Sequence, residues 1–218
     1  KHTGRIYKIT YGKPKPWQGD INKLSNGKLL KLQSHKNDWF VRHARRVLQE
    51  RQADTSALAK TLKSGSSVPL RLRALWALRV TGNLDEKKLE GLLQDSSEHL
   101  RAWAIQLLCE NKNPSEAIHE EFVLMAKKDK SPLVRLYLAS AMQRLSVKQR
   151  VPVLKALLGR AEDEDDQNLP LMYWYAAEPV VAADKVAAVQ LLAACKIPKV
   201  RQFITRRMAT GRDAGKKE

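Results

Sequence analysis

Six times along the chain a short segment of apolar residues and arginine restarts. The copies are 39–44 (WFVRHA), 69–74 (PLRLRA), 99–104 (HLRAWA), 133–139 (LVRLYLA), 169–175 (LPLMYWY) and 198–203 (PKVRQF). Their key positions, Arg42, Arg71, Arg101, Arg135, Met172 and Arg201, lie 29, 30, 34, 37 and 29 residues apart. A period of this length is one supersecondary unit that cannot bury its apolar face alone, so neighbouring copies must stack into a continuous core. Function is then expected on an extended surface rather than in one buried pocket.

From Leu24 onward the apolar period is helical, and cap residues recur: Ser25, Asp38, Asp54, Ser67, Asp85, Ser97, Ser115, Ser131, Ser146 and Asp184. Each can accept from the free N–H groups of a helix start. Pro69, Pro132 and Pro198 fall in first turns, where a missing N–H is harmless, and Gly82 and Gly159 read as stops. The predicted pairs are 26–34 with 39–53, 55–63 with 68–81, 86–93 with 98–110, 116–128 with 132–145, 147–161 with 169–181, and 185–195 with 198–210. The expected domain of helical repeats therefore spans 21–210, and 211–218 reads as a frayed polar tail. Residues 1–20 differ. The stretch 4–12 alternates, with Tyr7, Ile9 and Tyr11 on one side, and predicts an extended strand or arm, followed by a stiff Lys-Pro linker at 13–16.

The arginines follow a cap residue by four positions: Asp38 and Arg42, Ser67 and Arg71, Ser97 and Arg101, Ser131 and Arg135. Four positions is one turn on one face. With Val or Leu before the arginine and Ala soon after, the pattern resembles the HEAT-type repeat. That resemblance implies an all-α, right-handed HEAT-like α-solenoid of about six helix pairs. It also implies that Arg42, Arg71, Arg101, Arg135 and Arg201 form a structural ladder between repeats rather than a phosphate-binding stripe. At the fifth copy Met172 replaces arginine and Asn168 stands at the cap, so the ladder is expected to break there.

Charge sets the second constraint. Forty Lys and Arg against 23 acids give +17, and 43% apolar residues exclude a disordered tail. Such a surplus favours an anionic polymer as partner, nucleic acid among them. Arg45, Arg46, Arg206 and Arg207 lie off the ladder positions and, with Lys60, Lys63, Lys127 and Lys128, are the candidate basic face. No apolar run reaches the ~20 residues of a membrane span.

Signatures of chemistry are sparse. Cys109 and Cys195 sit far apart inside apolar helical patterns and read as buried thiols. No CxxC or CxxCH occurs, and the five histidines form neither HxxxH nor HExxH, so no metal site and no cofactor site is predicted in this chain. His35 and His43 flank Asp38 and Trp39 and read as capping or surface histidines, with a small polar-aromatic cluster the weaker option. The acidic run 162–166 reads as a solvated loop, with calcium a weaker option because its spacing is not that of an EF-hand. The densest unusual stretch is 166–179. Asp166, Asn168, Tyr173, Trp174, Tyr175 and Glu178 are its candidate docking residues, because three consecutive aromatics cannot all face one core.

An ordered set of phrases carries a closer resemblance: NDWFVRHARRVLQER at 37–51, LRALWAL at 72–78, EHLRAWAI at 98–105, SPLVRLYLAS at 131–140, NLPLMYWY at 168–175 and KIPKVRQF at 196–203. Together they resemble the middle region of PVC-type haem-binding CxxCH-domain proteins, the membrane-bound dehydrogenases with a sorbosone-dehydrogenase-like part. The resemblance implies a parent with a β-propeller before this region and a cytochrome c domain after it, exported or periplasmic and redox-active, with haem c in the parent. The strand at 4–12 would close the propeller. This chain would be a non-catalytic scaffold that spaces or docks those two neighbouring domains. The rival expectation is a basic HEAT-like nucleic-acid binder of the DNA glycosylase kind.

Overall fold

The computed structural model describes residues 4, 7, 9–13, 15 and 17–210. Among them are twelve α-helices and three short 3-10 turns, and no strand. The chain divides into two compact units, Lys1–Asn83 and Leu84–Glu218, where the repeat pattern drew one array.

The first unit holds α1 (Asn26–Lys31), α2 (Asp38–Glu50), α3 (Leu58–Ser64) and α4 (Val68–Val80). On α2, Val41, Ala44, Val47 and Leu48 are buried at the spacing of one helical face, and Ala44, Val47 and Leu48 close over Leu29 of α1 and Ile21. The helix starts at Asn37, whose side chain accepts from the Trp39 N–H at 2.9 Å. Asp38, the expected cap, is the first helical residue instead. Helix α4 ends where Gly82 adopts φ +75°, which lets the Asn83 N–H reach the Leu78 carbonyl at 2.9 Å. Thr55 and Thr81 are buried together, their hydroxyls 2.6 Å apart, and Thr81 donates back to the Ala77 carbonyl.

The second unit holds α5 (Glu86–Leu92), α6 (Glu98–Leu108), α7 (Glu116–Lys128), α8 (Pro132–Met142), α9 (Val147–Leu158), α10 (Leu169–Ala183), α11 (Lys185–Ala194) and α12 (Pro198–Thr210). Consecutive helices pack in pairs, α5 on α6 and so on to α11 on α12. The second members also pack on one another in the order α6, α8, α10, α12, while α7 packs on α9 and α9 on α11. This is the packing of adjacent helices that a helical repeat produces. Leu100, Ile105, Phe122, Leu138 and Tyr173 are fully enclosed, and each apolar side chain so buried contributes about 1.5–3 kcal/mol.

Helix starts are capped as the sequence suggests at Asp85, Ser115, Ser131 and Asp184. Gln149 bonds back to Ser146, completing a capping box. Ser97 differs: its own N–H is held by the Asp95 carboxylate at 2.8 Å, and Asp129 does the same for Ser131 at 2.9 Å. Asn168 caps nothing with its side chain; Asp166 accepts from both the Asn168 and Leu169 N–H groups. Helix α10 also runs through Pro179 to Ala183 rather than stopping near it. Ala176, Ala177, Val180 and Val181 are buried on both sides of the proline, so packing outweighs one lost hydrogen bond.

The expected strand at 4–12 is not found. Residues 5, 6 and 8 lie outside the described residues, and Tyr7, Ile9 and Tyr11 are exposed at 77, 96 and 102%. A strand needs a neighbouring edge to bond, and the described residues offer none to this segment. The linker residues 14 and 16 and the tail 211–218 also fall outside the described residues.

Candidate functional site

Two ladder arginines of the second unit, Arg101 and Arg135, are joints between repeats. Arg101 grips Asp129 with a two-pronged fork, Nε at 2.8 Å and Nη2 at 2.9 Å, while Nη1 donates to the Asp95 carbonyl at 2.8 Å. One repeat on, Arg135 takes Asp163 in the same fork and gives Nη1 to the Asp129 carbonyl at 3.0 Å. Asp129 thus serves two ladder arginines, its carboxylate that of the repeat before it and its carbonyl that of its own. Such bidentate pairs fix orientation as well as supplying attraction. Arg201 departs from the ladder: it donates to the Leu192 and Cys195 carbonyls at the end of α11, within its own helix pair, at 2.8 and 2.9 Å, and Arg71 bonds the Leu62 carbonyl at 2.7 Å.

Two further expectations need correction, one for Arg42 and one for the acidic run. Arg42 is 74% exposed and, among the described residues, binds Asp38 alone, one turn back, at 2.6 Å. The link between helices in the first unit comes instead from Arg73, which reaches the Asp38 carboxylate at 3.2 Å and the His35 carbonyl at 3.0 Å. Hydrogen bonding from Arg42 holds the Asp38 carboxyl below the usual carboxylate range. The second correction concerns the acidic run. Asp163 is 2% exposed, bound by Arg135 and by the Tyr173 hydroxyl at 2.6 Å. The run is therefore not simply a solvated loop: the link from Arg135 enters it through a buried Arg135–Asp163–Tyr173 triad, and at the fifth copy Met172, which lines the groove between α8 and α10, supplies no guanidinium to carry the series on. Burial, then the bond to Asp163, pushes the Tyr173 phenol far above its ordinary range. Among the described residues no three His, Cys, Asp or Glu side chains gather into a metal-sized group.

The six docking candidates do not share one surface. Successive helical positions turn by about 100°, so three aromatics in a row face three ways. Tyr173 faces the core, fully buried, and cannot dock a partner. Half-buried Trp174 packs on Phe203 of α12 with ring centroids 5.5 Å apart, and Glu178 pairs with Arg207 at 2.7 Å. Tyr175 is exposed at 54% and, with Asn168, Leu171, Met172, Leu136 and Tyr137, lines an open groove of about 460 Å³ between α8 and α10. Asp166 is taken up in capping.

The four basic-face candidates also separate. Arg45 is half-buried, its guanidinium 5.1 Å over the Trp76 ring, and Arg46 pairs with Glu50 at 3.4 Å. On α12, Arg206 is exposed while Arg207 is tied to Glu178. Against the capping-or-surface reading of the histidines, the polar-aromatic cluster assembles: His43 lies 4.2 Å from Trp39, His35 lies 4.7 Å from Phe40, and Trp17 joins them at 5.1 Å from Phe40.

Two arginines with structural roles escaped the motif reading. Buried Arg150 donates to the Leu145, Gln143 and Ala176 carbonyls at 3.0, 3.3 and 3.4 Å. Arg160 donates to the Lys127 and Asp129 carbonyls and stands 2.7 Å from Glu162. The one signal for Asp163 was its step: Asp129 and Asp163 each lie 28 residues beyond the arginine they bind.

Both thiols are buried. Burial pushes Cys109 up to about 11 and Cys195 above its usual value. Neither is expected to react with a disulfide reagent at neutral pH until the chain is unfolded; prompt labelling of either in the native protein would contradict that burial. A thiol raised on folding stabilises fully below its unfolded value of 9.0 and loses that contribution as pH climbs toward about 11. Thermal stability should therefore fall across that alkaline window, and Cys109→Ala should flatten part of the fall.

No helix of the described residues is long and apolar enough to cross a membrane. No family profile matches the sequence, and no curated protein matches it. Among solved structures, the chain is similar to the crystal structure of an engineered protein from the Northeast Structural Genomics Consortium. The two are 16% identical with a TM-score of 0.51, over 90% of this chain and 100% of that one. At that identity the likeness bears on the fold alone.

Proposed function

We propose that the chain is a non-catalytic scaffold, a HEAT-like α-solenoid that docks neighbouring protein segments. One observation carries this reading: the buried charges of the second unit are consumed in joining repeat to repeat, while its open groove between α8 and α10 is apolar and tyrosine-lined. Charges committed to internal pairs have little left for chemistry, whereas an apolar groove with a few polar edges suits a partner's side chains. By its resemblance to PVC-type haem-binding CxxCH-domain proteins, the partners would be the propeller and cytochrome c domains of an exported dehydrogenase, and this chain would set their spacing.

The test has two parts. A longer protein carrying this chain should show a Soret band that sharpens with dithionite, and a featureless spectrum from the matured protein would remove the redox setting. Tyr175→Ala should weaken binding of an isolated cytochrome c domain about tenfold or more while the melting curve holds, as expected of an aromatic anchor. Unchanged binding would remove the groove from the docking role.

A second reading is favoured by the +17 charge, namely binding of nucleic acid. It predicts affinity for DNA or RNA that falls steeply with salt.

A further inference from the structure

Helix α2 carries two adjoining stripes that the scaffold reading leaves unused. Asp38, Arg42 and Arg45 follow one another at steps of four and three residues, as do Trp39, His43 and Arg46. Trp39 and Arg42 are three apart, so their side chains are surface neighbours. Arg73 of α4 closes on the same spot through Asp38.

The charge there is unbalanced. Among the described residues, the charged groups that act on Arg45 are Asp38, Arg42 and Arg73, three guanidiniums in all for one carboxylate. Arg42 holds Asp38 through Nε and is otherwise open to solvent. Arg45 Nη1 is buried and has no hydrogen-bond partner. Arg45 therefore adds positive charge beneath Arg42 that no internal hydrogen bond at Nη1 offsets.

Beside this surplus stands a ring platform. Trp39 is 48% exposed and braced at right angles by Phe40, at 5.0 Å, with Trp17 at 6.1 Å and His43 at 4.2 Å. Trp17, itself 49% exposed, folds over Gly19 so closely that a Cβ there would meet the indole at 2.2 Å. The braced indole keeps an open flank at little cost in conformational freedom. Aromatic rings beside a cationic track are the two elements by which single strands are held, phosphates on the charges and bases on the rings.

We infer that Trp39, Arg42 and Arg45 form a binding site for a single-stranded nucleic acid segment, with a phosphodiester on the exposed Arg42 guanidinium, the charge of Arg45 behind it, and a base stacked on Trp39. The site rests on the nucleic-acid reading above and adds its place and its preference for an unpaired strand. A duplex keeps its bases stacked inside and offers the indole nothing.

The test is a titration of the whole chain with a labelled oligothymidylate, a duplex of equal length and a polyuronate of similar charge, each across a salt series. The single strand is expected to bind tighter than the other two. Trp39→Ala should weaken it about tenfold with little change in salt slope, and Trp39→Phe should recover part of the loss. Arg42→Gln, at an exposed position that folding does not need, should lower the slope of log K against log salt by about 0.7. Arg206→Gln, an exposed cation in the second unit, should leave both quantities alone. Binding that ignores Trp39→Ala and Arg42→Gln would place nucleic acid elsewhere and overturn this site. Absence of binding at low salt would remove the nucleic-acid reading itself. A polyuronate bound as tightly, and equally dependent on Trp39, would overturn the assignment in favour of a sugar polymer.

Discussion

Asp163→Ala is expected to destabilise the second unit by about 3–5 kcal/mol, the usual cost of removing one partner from a buried ion pair. Arg135 and Asp163 have side chains only 3% exposed, so water cannot replace the lost carboxylate. The substitution also strands the Tyr173 hydroxyl, whose acceptor is the same carboxylate. Denaturant unfolding monitored by circular dichroism reads the loss directly. Arg135→Met alone should cost a similar amount, and the pair Arg135→Met with Asp163→Leu should cost clearly less than the sum, because neither charge is then left alone. With Tyr173→Phe added, the core becomes wholly apolar, and the triple variant should return to within about 2 kcal/mol of the parent. A triple variant as weak as Asp163→Ala would mean that the triad contributes more than the absence of orphaned charge. A loss below about 1 kcal/mol for Asp163→Ala would mean that the pair is solvated in solution.

How far this could be read from sequence divides along physical lines. Helices were legible because their signals are local: the step of three and four in Val41, Ala44 and Leu48, the prolines at 132 and 198, the caps at Ser115 and Asp184. The register Arg101 to Arg135 was legible because a joint between repeats must recur with the repeat. What escaped depends on the partner rather than on the residue. Asp163 sits in a run of five acids, and such a run ordinarily faces water; only its 28-residue step from Arg135 marks it as a joint. Tyr173 could not be told from Trp174 and Tyr175, because three consecutive positions sample most of a helix's circumference and the phase is set by packing against α8 and α12. Arg42 has the motif of a ladder arginine yet lies in the open, since Arg73 reaches Asp38 from α4 and takes the linking role. The aromatic and cationic stripes of α2 were visible as separate hints, His35 with His43 and Arg45 with Arg46. Their junction at Trp39 and Arg42 needed the helix to be in place.

Arg150→Ala is expected to cost about 3 kcal/mol, and for a different reason from Asp163. Arg150 is 9% exposed and binds no acid; its guanidinium is met by three carbonyl oxygens, from Gln143, Leu145 and Ala176. Two of these lie in the turn between α8 and α9, and the third belongs to α10, so one planar fork ties the turn to the next helix. Burial disfavours its charge, yet guanidinium stays protonated at any pH the fold survives, and carbonyl dipoles are what it can bind there. Deleting it leaves those carbonyls without their donor and a gap where the side chain ran, each worth about 1–3 kcal/mol. Arg150→Lys should recover less than half, because a single ammonium cannot span acceptors that the fork meets in three directions. Arg150→Met should restore packing but not the bonds, and so separates the two contributions. Unfolding curves for the three variants would show the order Lys, Met, Ala if bonding leads, and Met above Lys if the chain's hydrocarbon matters more. Since no carboxylate is involved, none of these losses should vary with salt, whereas breaking the more exposed pair of Arg207 and Glu178 should cost less at high ionic strength.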